Sequence, residues 1–210
     1  MNNFSWLGRP LIQFPGDIIA VHDLIYSLKP DYIIETGVAH GGSLILSASL
    51  LSLAGCYSSK VIGIDIDIRP HNRQEIESHP LSSYIKLVEG SSIDPSVFHM
   101  ATSEISDNKS VLVFLDSNHT HNHVLEELRL YSKIVTPGSY IVVFDTHIEF
   151  MPVDYVWTDR DWSRGNNPYT AIQEWLPHNP SFVVDSTIEY KIMITSAPGG
   201  FLYKKPSKNI

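Results

Sequence analysis

Short runs of β-branched and apolar residues recur along the chain, and each is followed by a turn and then by a helical pattern. Five such runs cover residues 32–35, 61–65, 85–89, 111–116 and 140–145. Near-continuous apolar character is typical of strands in a parallel sheet that helices cover on both faces. The alternation therefore predicts a Rossmann-like, doubly wound α/β fold.

Helical patterns lie between and before these runs. Residues 17–28 predict a leading helix, so we expect residues 1–30 to form a helical lead-in to the first strand. Residues 43–54 are small and apolar, as in a buried helix, and residues 124–135 carry apolar side chains at helical spacing. A Pro-Gly pair ends the last of these helices.

The pattern changes after the fifth strand. Residues 146–167 form a long segment rich in aromatic and polar side chains. Loops of this length in compact domains are usually functional, so we predict that this segment is a substrate lid. A short helix is predicted over residues 168–176. Residues 182–185, 192–195 and 201–203 predict strands, and these last segments supply an antiparallel C-terminal edge to a mostly parallel, seven-stranded sheet.

The composition indicates a single globular domain that spans residues 1–210. Apolar residues make up 43% of the chain and charged residues 18%, and no linker rich in Pro, Gly or Ser divides it. The net charge of −8 disfavours an extended nucleic-acid surface. No signal peptide is visible, no apolar run approaches the roughly 20 residues that span a bilayer, and Cys56 is the only cysteine. We therefore expect a cytoplasmic protein without a membrane span or a nucleic-acid partner.

A glycine-rich loop follows the first strand, with the sequence Glu35-Thr36-Gly37-Val38-Ala39-His40-Gly41-Gly42-Ser43. Glycines let the backbone turn tightly and approach a ligand closely. The loop lacks the Gly-Lys-Ser/Thr ending of a phosphate loop, and its leading acid suits a cationic amino group or a hydroxyl better than a pyrophosphate. This favours S-adenosylmethionine over a dinucleotide, although a purely structural turn is the alternative. The cofactor-binding residues predicted here are Glu35, Gly37, Gly41 and Ser43.

Two further loops complete the predicted cofactor site. Asp65 ends the second strand, where an acid in nucleotide-binding α/β sheets accepts hydrogen bonds from ribose hydroxyls. A solvated carboxylate at the end of a strand is the alternative. The third strand leads into Gly90 and Ser91, which we expect to flank the adenine. Asp116, after the fourth strand, is also predicted to contact the cofactor, and it is predicted to orient the acceptor as a catalytic residue together with His119.

Two acids, Asp116 and Asp145, end the fourth and fifth strands. Ligands of open α/β sheets bind outside the carboxyl ends of the strands, so the pair could hold Mg²⁺ through oxygen ligands. Such an ion would orient a substrate hydroxyl and lower its pKa. His119, three residues past the first acid, would accept the hydroxyl proton. Alternatively, the two acids cap helices or bond loop amides.

Three alternate histidines, His119, His121 and His123, invite a zinc hypothesis. No cysteine pair accompanies them and no third ligand has conventional spacing, so zinc is disfavoured. The sequence leaves the roles of His40, His123 and His147 open. In the predicted lid, Trp157 and Trp162 form either a substrate wall or a loop core.

Taken together, these motifs resemble the cephalosporin hydroxylase/rhamnosyl O-methyltransferase family of class I methyltransferases. The resemblance covers nearly the whole chain. The matching segments are Trp6-Leu7-Gly8, Gln13-Phe14-Pro15-Gly16-Asp17, Lys29-Pro30-Asp31, Ile34-Glu35-Thr36-Gly37, Gly41-Gly42-Ser43, Gly63-Ile64-Asp65, Leu115-Asp116-Ser117, His119, His123-Val124-Leu125, Pro137-Gly138, Asn167-Pro168 and Pro198-Gly199-Gly200.

The resemblance implies methyl transfer from S-adenosylmethionine to a hydroxyl of a sugar, glycoside or other small molecule, and it suggests a homo-oligomer. It also implies a metal held by an acid after the fourth strand and an acidic pair after the fifth, with a histidine base. Asp116, His119 and Asp145 fit these roles. Phe144 departs from this pattern, because the resemblance implies a glutamate at that position, beside Asp145. Water or His147 fills that place, or the protein works without metal.

Two other functions compete with this one. The domain could bind S-adenosylmethionine or a nucleotide without catalysis, as a scaffold or regulatory subunit, and Phe144 supports that alternative. A nicotinamide-dependent dehydrogenase would instead bind a dinucleotide tightly. The sequence does not identify the acceptor.

Overall fold

A computed structural model of the chain describes residues 4–155 and 158–206. The strands are β1 (Phe4–Trp6), β2 (Arg9–Leu11), β3 (Tyr32–Thr36), β4 (Lys60–Asp65), β5 (Ile85–Glu89), β6 (Val111–Leu115), β7 (Tyr140–Val143), β8 (Phe182–Val184) and β9 (Phe201–Lys204). The α-helices are α1 (Pro15–Leu28), α2 (Gly42–Leu53), α3 (Pro70–Glu77), α4 (Pro95–Thr102), α5 (His121–Tyr131), α6 (Pro168–Trp175) and α7 (Ser186–Ile192). Short 3₁₀ turns cover Ser82–Tyr84, Thr146–Phe150 and Leu176–His178.

Within the described residues, seven strands form the central sheet in the order β5-β4-β3-β6-β7-β9-β8. The first five of these pair in parallel, and β9 pairs antiparallel with both β7 and β8. The order reverses direction between β3 and β6, which is the topological switch point where open α/β sheets bind their ligands. The predicted fold class, including the antiparallel C-terminal edge, is confirmed.

Helices cover both faces of the sheet, as the unbroken apolar strands require. Successive residues of a strand point to opposite faces, so Ile33 joins one core cluster and Ile34 joins the other. Both side chains are fully buried. The first cluster packs against α1, α2, α3 and α7, and the second packs against α4, α5 and α6.

The strand predicted over residues 192–195 is wrong. That region contains the end of helix α7, whose N-cap Asp185 accepts hydrogen bonds from the Thr187 amide and hydroxyl at 3.1 and 2.6 Å. Met193 then adopts a φ of +61°, which ends the helix. The four apolar or β-branched residues therefore lie partly in a short helix and partly in irregular backbone, because local capping outweighs their strand propensity.

The lead-in to the first strand contains a hairpin that the sequence did not predict. Strands β1 and β2 pair antiparallel around a turn at Leu7 and Gly8, both of which have positive φ. Trp6 donates a hydrogen bond from its indole nitrogen to Ser49 Oγ at 2.9 Å, which attaches the hairpin to α2. The predicted leading helix follows as α1, beginning at Pro15.

The region predicted as a lid begins and ends in ordered structure. Its first residues form the turn Thr146–Phe150, and its last residue, Asn167, is the N-cap of α6. Trp157 lies outside the described residues. Over the part of the chain that the structure describes, no helix is long and apolar enough to cross a membrane.

Gly37 offers a test of the packing between the loop after β3 and the loop after β6. Its φ is +91°, and a Cβ there would meet the Asp116 carbonyl oxygen at 2.0 Å. Gly138 has a similar φ of +86° with nothing within 4 Å of its Cβ position. Backbone strain alone costs roughly 1–2 kcal/mol at either site. We expect Gly37→Ala to lower the free energy of unfolding by at least about 2 kcal/mol more than Gly138→Ala in urea titrations. Equal losses would show that the contact with Asp116 is readily relieved.

Candidate active site

A cleft of about 410 Å³ opens at the carboxyl ends of β3, β6 and β7. This volume lies within the range of small-molecule binding sites. The cleft is lined by Pro10, Ile12, Gln13, Phe14, Gly37, Val38, Ala39, His40, Gly42, Ser43, Asp116, Ser117, His119, Asp145, Arg160, Trp162 and Ser196. Of the residues that the sequence analysis selected, Gly37, Ser43, Asp116, His119 and Asp145 belong to this lining, whereas Glu35, Gly41, Asp65, Gly90 and Ser91 do not.

The glycine-rich loop forms one wall of the cleft. Gly37 and Gly41 have φ values of +91° and +78°, which side chains disfavour, and α2 begins directly afterwards at Gly42. A Cβ on Gly42 would meet the Pro10 carbonyl oxygen at 2.1 Å. Gly37 therefore lies against the backbone of the loop after β6, and Gly42 lies against the backbone of the hairpin.

Glu35, the last residue but one of β3, carries a buried carboxyl group. Ser43 Oγ donates a short hydrogen bond to Glu35 Oε1, whereas Oε2 is buried and has no hydrogen-bond partner among the described residues. Burial raises the pKa of Glu35 to about 8, although the hydrogen bond from Ser43 opposes the shift. A buried carboxyl oxygen without a partner fits a cationic or hydrogen-donating ligand, as the methionine ammonium of S-adenosylmethionine would be.

Asp65 lies at the predicted end of β4, but its present contacts are to protein backbone. Its Oδ2 accepts hydrogen bonds from the amides of Val38 at 2.7 Å and Ala39 at 3.1 Å. The Asp65 carbonyl oxygen accepts from the Gly90 amide at 2.8 Å. Asp65 thus connects the loops that follow β3 and β5. A carboxylate has about four acceptor positions, so these bonds are compatible with the predicted ribose contact.

Asp116, His119 and Asp145 converge in the cleft. Each contributes one ligand-type atom, and these atoms all lie within 4.8 Å of one another. His119 Nε2 lies 2.9 Å from Asp145 Oδ2, and His147 Nδ1 lies 3.5 Å from Asp145 Oδ1. Asp145 adopts a left-handed φ of +57° directly after β7. This cluster is the one group of possible metal ligands found among the described residues.

The pKa values of the two aspartates in this cluster shift in opposite directions. Desolvation, followed by the charges of Asp145 and Glu35, raises the pKa of Asp116 well above its usual value. Burial also opposes ionisation of Asp145, but the hydrogen bond and charge of His119 and the charge of His147 outweigh it and lower the pKa of Asp145. Asp145 therefore pairs with histidine, whereas Asp116 forms no ion pair with a described residue.

Phe144 points away from this chemistry. The residue is 2% exposed, belongs to the core cluster on the α1 face, and packs its ring edge-on against Phe114 at 6.0 Å between centroids. The position beside Asp145 therefore contributes to the core and not to a metal site.

Residues of the predicted lid complete the cleft. The Trp162 ring contacts His119 edge-on at 4.7 Å between centroids, and the Arg160 guanidinium lies 5.2 Å from the Trp162 ring. Glu149 Oε2 accepts hydrogen bonds from the Gly165 amide at 2.8 Å and from Asn167 Nδ2 at 2.6 Å. Glu149 thereby fastens the two ends of the lid together.

Sequence reasoning missed the wall formed by Pro10, Ile12, Gln13 and Phe14. Pro10 lies in β2 of the hairpin and the other three follow it, and the Phe14 and His147 rings lie 5.9 Å apart. Gln13 Oε1 is buried and has no hydrogen-bond partner among the residues that the structure describes. The segment Gln13-Phe14-Pro15-Gly16-Asp17 is part of the family resemblance, but nothing in its composition indicates that it faces the cleft.

The remaining histidines do not join the metal-type cluster. His121 contacts Thr170 Oγ1 at 2.9 Å and Glu174 Oε2 at 3.1 Å, and His123 Nε2 contacts Ser92 Oγ at 2.9 Å. The three alternate histidines therefore contact different partners. The His40 carbonyl accepts hydrogen bonds from Arg9.

Comparisons with known proteins identify relatives that match nearly the whole chain. The rhamnosyl O-methyltransferase of Mycobacterium tuberculosis is 30% identical over 205 residues, which cover 95% of this chain and 78% of that protein. Its counterpart from Mycobacterium leprae is 27% identical over 209 residues, covering 97% and 84%. A solved structure described as CmcI with Mg and SAM has a TM-score of 0.67 at 19% identity, covering 97% of this chain and 77% of the other.

Fold, site and relatives together define a class I, S-adenosylmethionine-dependent O-methyltransferase. The chain belongs to the Rhamnosyl O-methyltransferase/CmcI family, whose model matches residues 1–205. The non-catalytic binding module and the dehydrogenase are therefore not favoured.

Glu35 predicts a pH dependence of stability. Its pKa is about 8 in the folded chain against an ordinary value of 4.5, so the folded state retains a proton that the unfolded state has released. The stabilising contribution is fully present below about pH 4.5 and is lost as the pH rises to about 8, at roughly 1.4 kcal/mol per pH unit. We expect Glu35→Gln to flatten this decline in urea titrations at pH 5 and pH 8.

Glu75→Gln is the matched control, because the side chain of Glu75 is 63% exposed. It should leave the pH dependence within a few tenths of a kcal/mol of the wild type. If the free energy of unfolding of Glu35→Gln declined with pH as steeply as that of the unmodified chain, burial of this carboxyl group would not be the cause of the pH dependence.

Proposed function

We propose that this enzyme methylates a hydroxyl group of a rhamnosyl or closely related sugar unit. The observation that carries the proposal is the convergence of His119, Asp145 and Asp116 in a cleft whose other wall is the glycine-rich loop. This arrangement provides a base, two carboxylates and a cofactor loop within one site. The sugar class is supported by relatives named as rhamnosyl O-methyltransferases.

The cofactor site is formed by residues at the carboxyl ends of β3, β4 and β5. Glu35 presents its unpartnered oxygen for the ammonium, and Gly37, Gly41 and Ser43 shape the loop beside it. S-adenosylmethionine, when bound, supplies an electrophilic methyl group on a sulfonium. Asp65 receives the ribose and the pair Gly90 and Ser91 flanks the adenine.

His119 serves as the general base. The contact between its Nε2 and Asp145 Oδ2 orients the imidazole, which leaves Nδ1 to accept the proton of the acceptor hydroxyl. Trp162 contacts the ring from the lid side and restricts its rotation. Positioning of the acceptor oxygen then removes much of the entropic barrier, since methyl transfer requires in-line attack.

Asp116 and Asp145 provide the oxygen ligands of an Mg²⁺ site. Carboxylate oxygens are the donors that this ion prefers, and burial together with the charges of Asp145 and Glu35 raises the pKa of Asp116, so a bound cation would stabilise its ionised form. The ion, when bound, would lower the pKa of the acceptor hydroxyl. Because Phe144 provides no carboxylate, His119, His147 or water completes the set of ligands.

The acceptor enters on the side that the lid covers. Trp162 and Phe14 give this side flat apolar surfaces, which suit the C–H faces of a sugar ring, and Arg160 offers a donor for sugar oxygens. Residues 146–167 act as the lid over the acceptor and exclude water. We further propose that the enzyme is a cytoplasmic, single-domain homo-oligomer that does not act on nucleic acid.

His119→Ala should reduce methyl transfer roughly 10²–10⁴-fold and leave cofactor affinity within about threefold of the wild type. The assay is transfer of a labelled methyl group to a panel of rhamnose-containing glycosides, with calorimetric titration of S-adenosylhomocysteine alongside. His121→Ala is the matched control, because His121 contacts Thr170 and Glu174 outside the cleft. Unchanged turnover in His119→Ala would exclude this residue as the base.

Metal binding can be measured without the acceptor. We expect calorimetric titration with MgCl₂ to show one site in the wild type, and Asp145→Asn to weaken it at least about tenfold, because one charged oxygen ligand is lost. Asp107→Asn changes the net charge equally at an exposed position and should leave the affinity unaltered. Identical titrations for the three proteins would disprove the proposed ligand set.

A further inference from the structure

Glu127 is a fully buried carboxyl group that no step described above uses. It lies on α5 with 0% of its surface exposed. Its Oε1 accepts hydrogen bonds from Ser92 Oγ at 2.6 Å and from Ser117 Oγ at 2.7 Å. Its Oε2 is also buried and has no hydrogen-bond partner in the described structure.

His123 closes this polar cluster one turn earlier on α5. Its Nε2 lies 2.9 Å from Ser92 Oγ and 3.2 Å from Ser117 Oγ. Each hydroxyl has one proton, and both protons point to Glu127 in this arrangement, so His123 Nε2 is the donor to the serine oxygens. The Tyr131 hydroxyl donates to the Ser92 carbonyl at 3.0 Å, which holds the same loop from below.

The two serines come from loops that are distant in the sheet. Ser92 follows β5 and Ser117 follows β6, and strands β3 and β4 lie between those two strands. Glu127 therefore bridges the carboxyl ends of non-adjacent strands. The same two loops carry Gly90 and Ser91 on one side and Asp116 on the other, so the bridge determines the width of the crevice between them.

A buried carboxyl group is a poor choice for stability alone. Its desolvation is unfavourable, and an apolar side chain of similar volume often stabilises a core as well or better. What an apolar side chain cannot do is hold two hydroxyls from different loops at one point. The bridge therefore fixes geometry that packing would leave free.

We propose that Glu127 is a positioning residue that holds the loops after β5 and β6 at the spacing the adenosyl group of the cofactor needs. This inference rests on the proposed cofactor site. It requires that cofactor affinity depend on the hydrogen bonds of Glu127 and not on the stability of the fold.

The test compares two substitutions of Glu127 by calorimetric titration with S-adenosylhomocysteine and by thermal unfolding. Glu127→Gln retains a carbonyl oxygen for both serines, so its affinity should stay within about threefold of the wild type. Glu127→Met retains the volume but accepts no such bonds, so we expect at least about tenfold weaker binding with a loss of thermal stability no greater than that of Asp31→Ala, the control described next.

Asp31 provides the matched control at the opposite ends of the strands. It accepts hydrogen bonds from the Ser110 amide at 2.8 Å and the Ser110 hydroxyl at 2.9 Å, and it contacts Lys109 Nζ at 3.0 Å. Asp31→Ala should lower the unfolding temperature and leave S-adenosylhomocysteine affinity unaltered. A purely structural role for Glu127 predicts instead that affinity follows stability in all variants.

The outcomes separate the two proposals. If the wild type does not bind S-adenosylhomocysteine, the proposed cofactor site fails. If the wild type binds and Glu127→Met binds equally well, only the positioning role is overturned. Should Glu127→Met not fold, Ser92→Ala removes one of the two bonds and still leaves the carboxyl group a partner. It should then weaken binding roughly threefold to tenfold, and an unchanged affinity would refute the role.

Discussion

Burial of carboxyl groups at one edge of the sheet governs this site. Glu35 lies near the end of β3, and Asp116 and Asp145 follow β6 and β7, so the fold places the three acids at that edge. Desolvation is the largest cause of the raised pKa of both Asp116 and Glu35, and at Asp116 the charges of Asp145 and Glu35 add to it. At Asp145 the hydrogen bond and charge of His119 and the charge of His147 outweigh burial, so the pKa of Asp145 is lowered.

A site with this charge favours cationic ligands. The sulfonium and ammonium of S-adenosylmethionine and a divalent metal ion each bring positive charge to the edge where the carboxyl groups meet. Their binding therefore adds positive charge that stabilises the ionised form of these buried carboxyl groups. The same argument disfavours a dinucleotide, whose pyrophosphate would add negative charge beside Glu35. The preference for cationic ligands thus follows from the position of the acids at the carboxyl ends of the strands.

The shape of the cleft depends on direct contacts between backbone segments as much as its ligand preference depends on charge. A Cβ on Gly37 would meet the backbone of Asp116, and one on Gly42 would meet the backbone of Pro10. The glycine-rich loop is therefore in direct contact with the backbone of the loop after β6 and with the backbone of the hairpin. A displacement of any one of these three segments moves the others, because no compressible side chain separates them.

The sequence predicted the strands and the acids well because periodicity and strand ends are local features. It failed at residues 192–195, where helix capping by Asp185 outweighs strand propensity, and it missed the short hairpin before α1. It also missed Gln13 and Phe14 as cleft residues. Their position depends on tertiary contacts with segments over a hundred residues away, such as the pairing of Phe14 with His147, and no local pattern encodes such contacts.

Phe144 shows how core and site compete for one position. Its ring is packed against Phe114 in the core, while the left-handed backbone of Asp145 carries the next side chain into the cleft. A carboxylate at position 144 in this backbone would be buried among apolar groups unless the strand end rearranged. Among the described residues, the proposed metal ligands are therefore Asp116, Asp145 and His119, with His147 also in contact with Asp145. His119 in that set is also the proposed base. Metal coordination and proton transfer would therefore use the same imidazole, and a nitrogen that coordinates the metal cannot accept the proton.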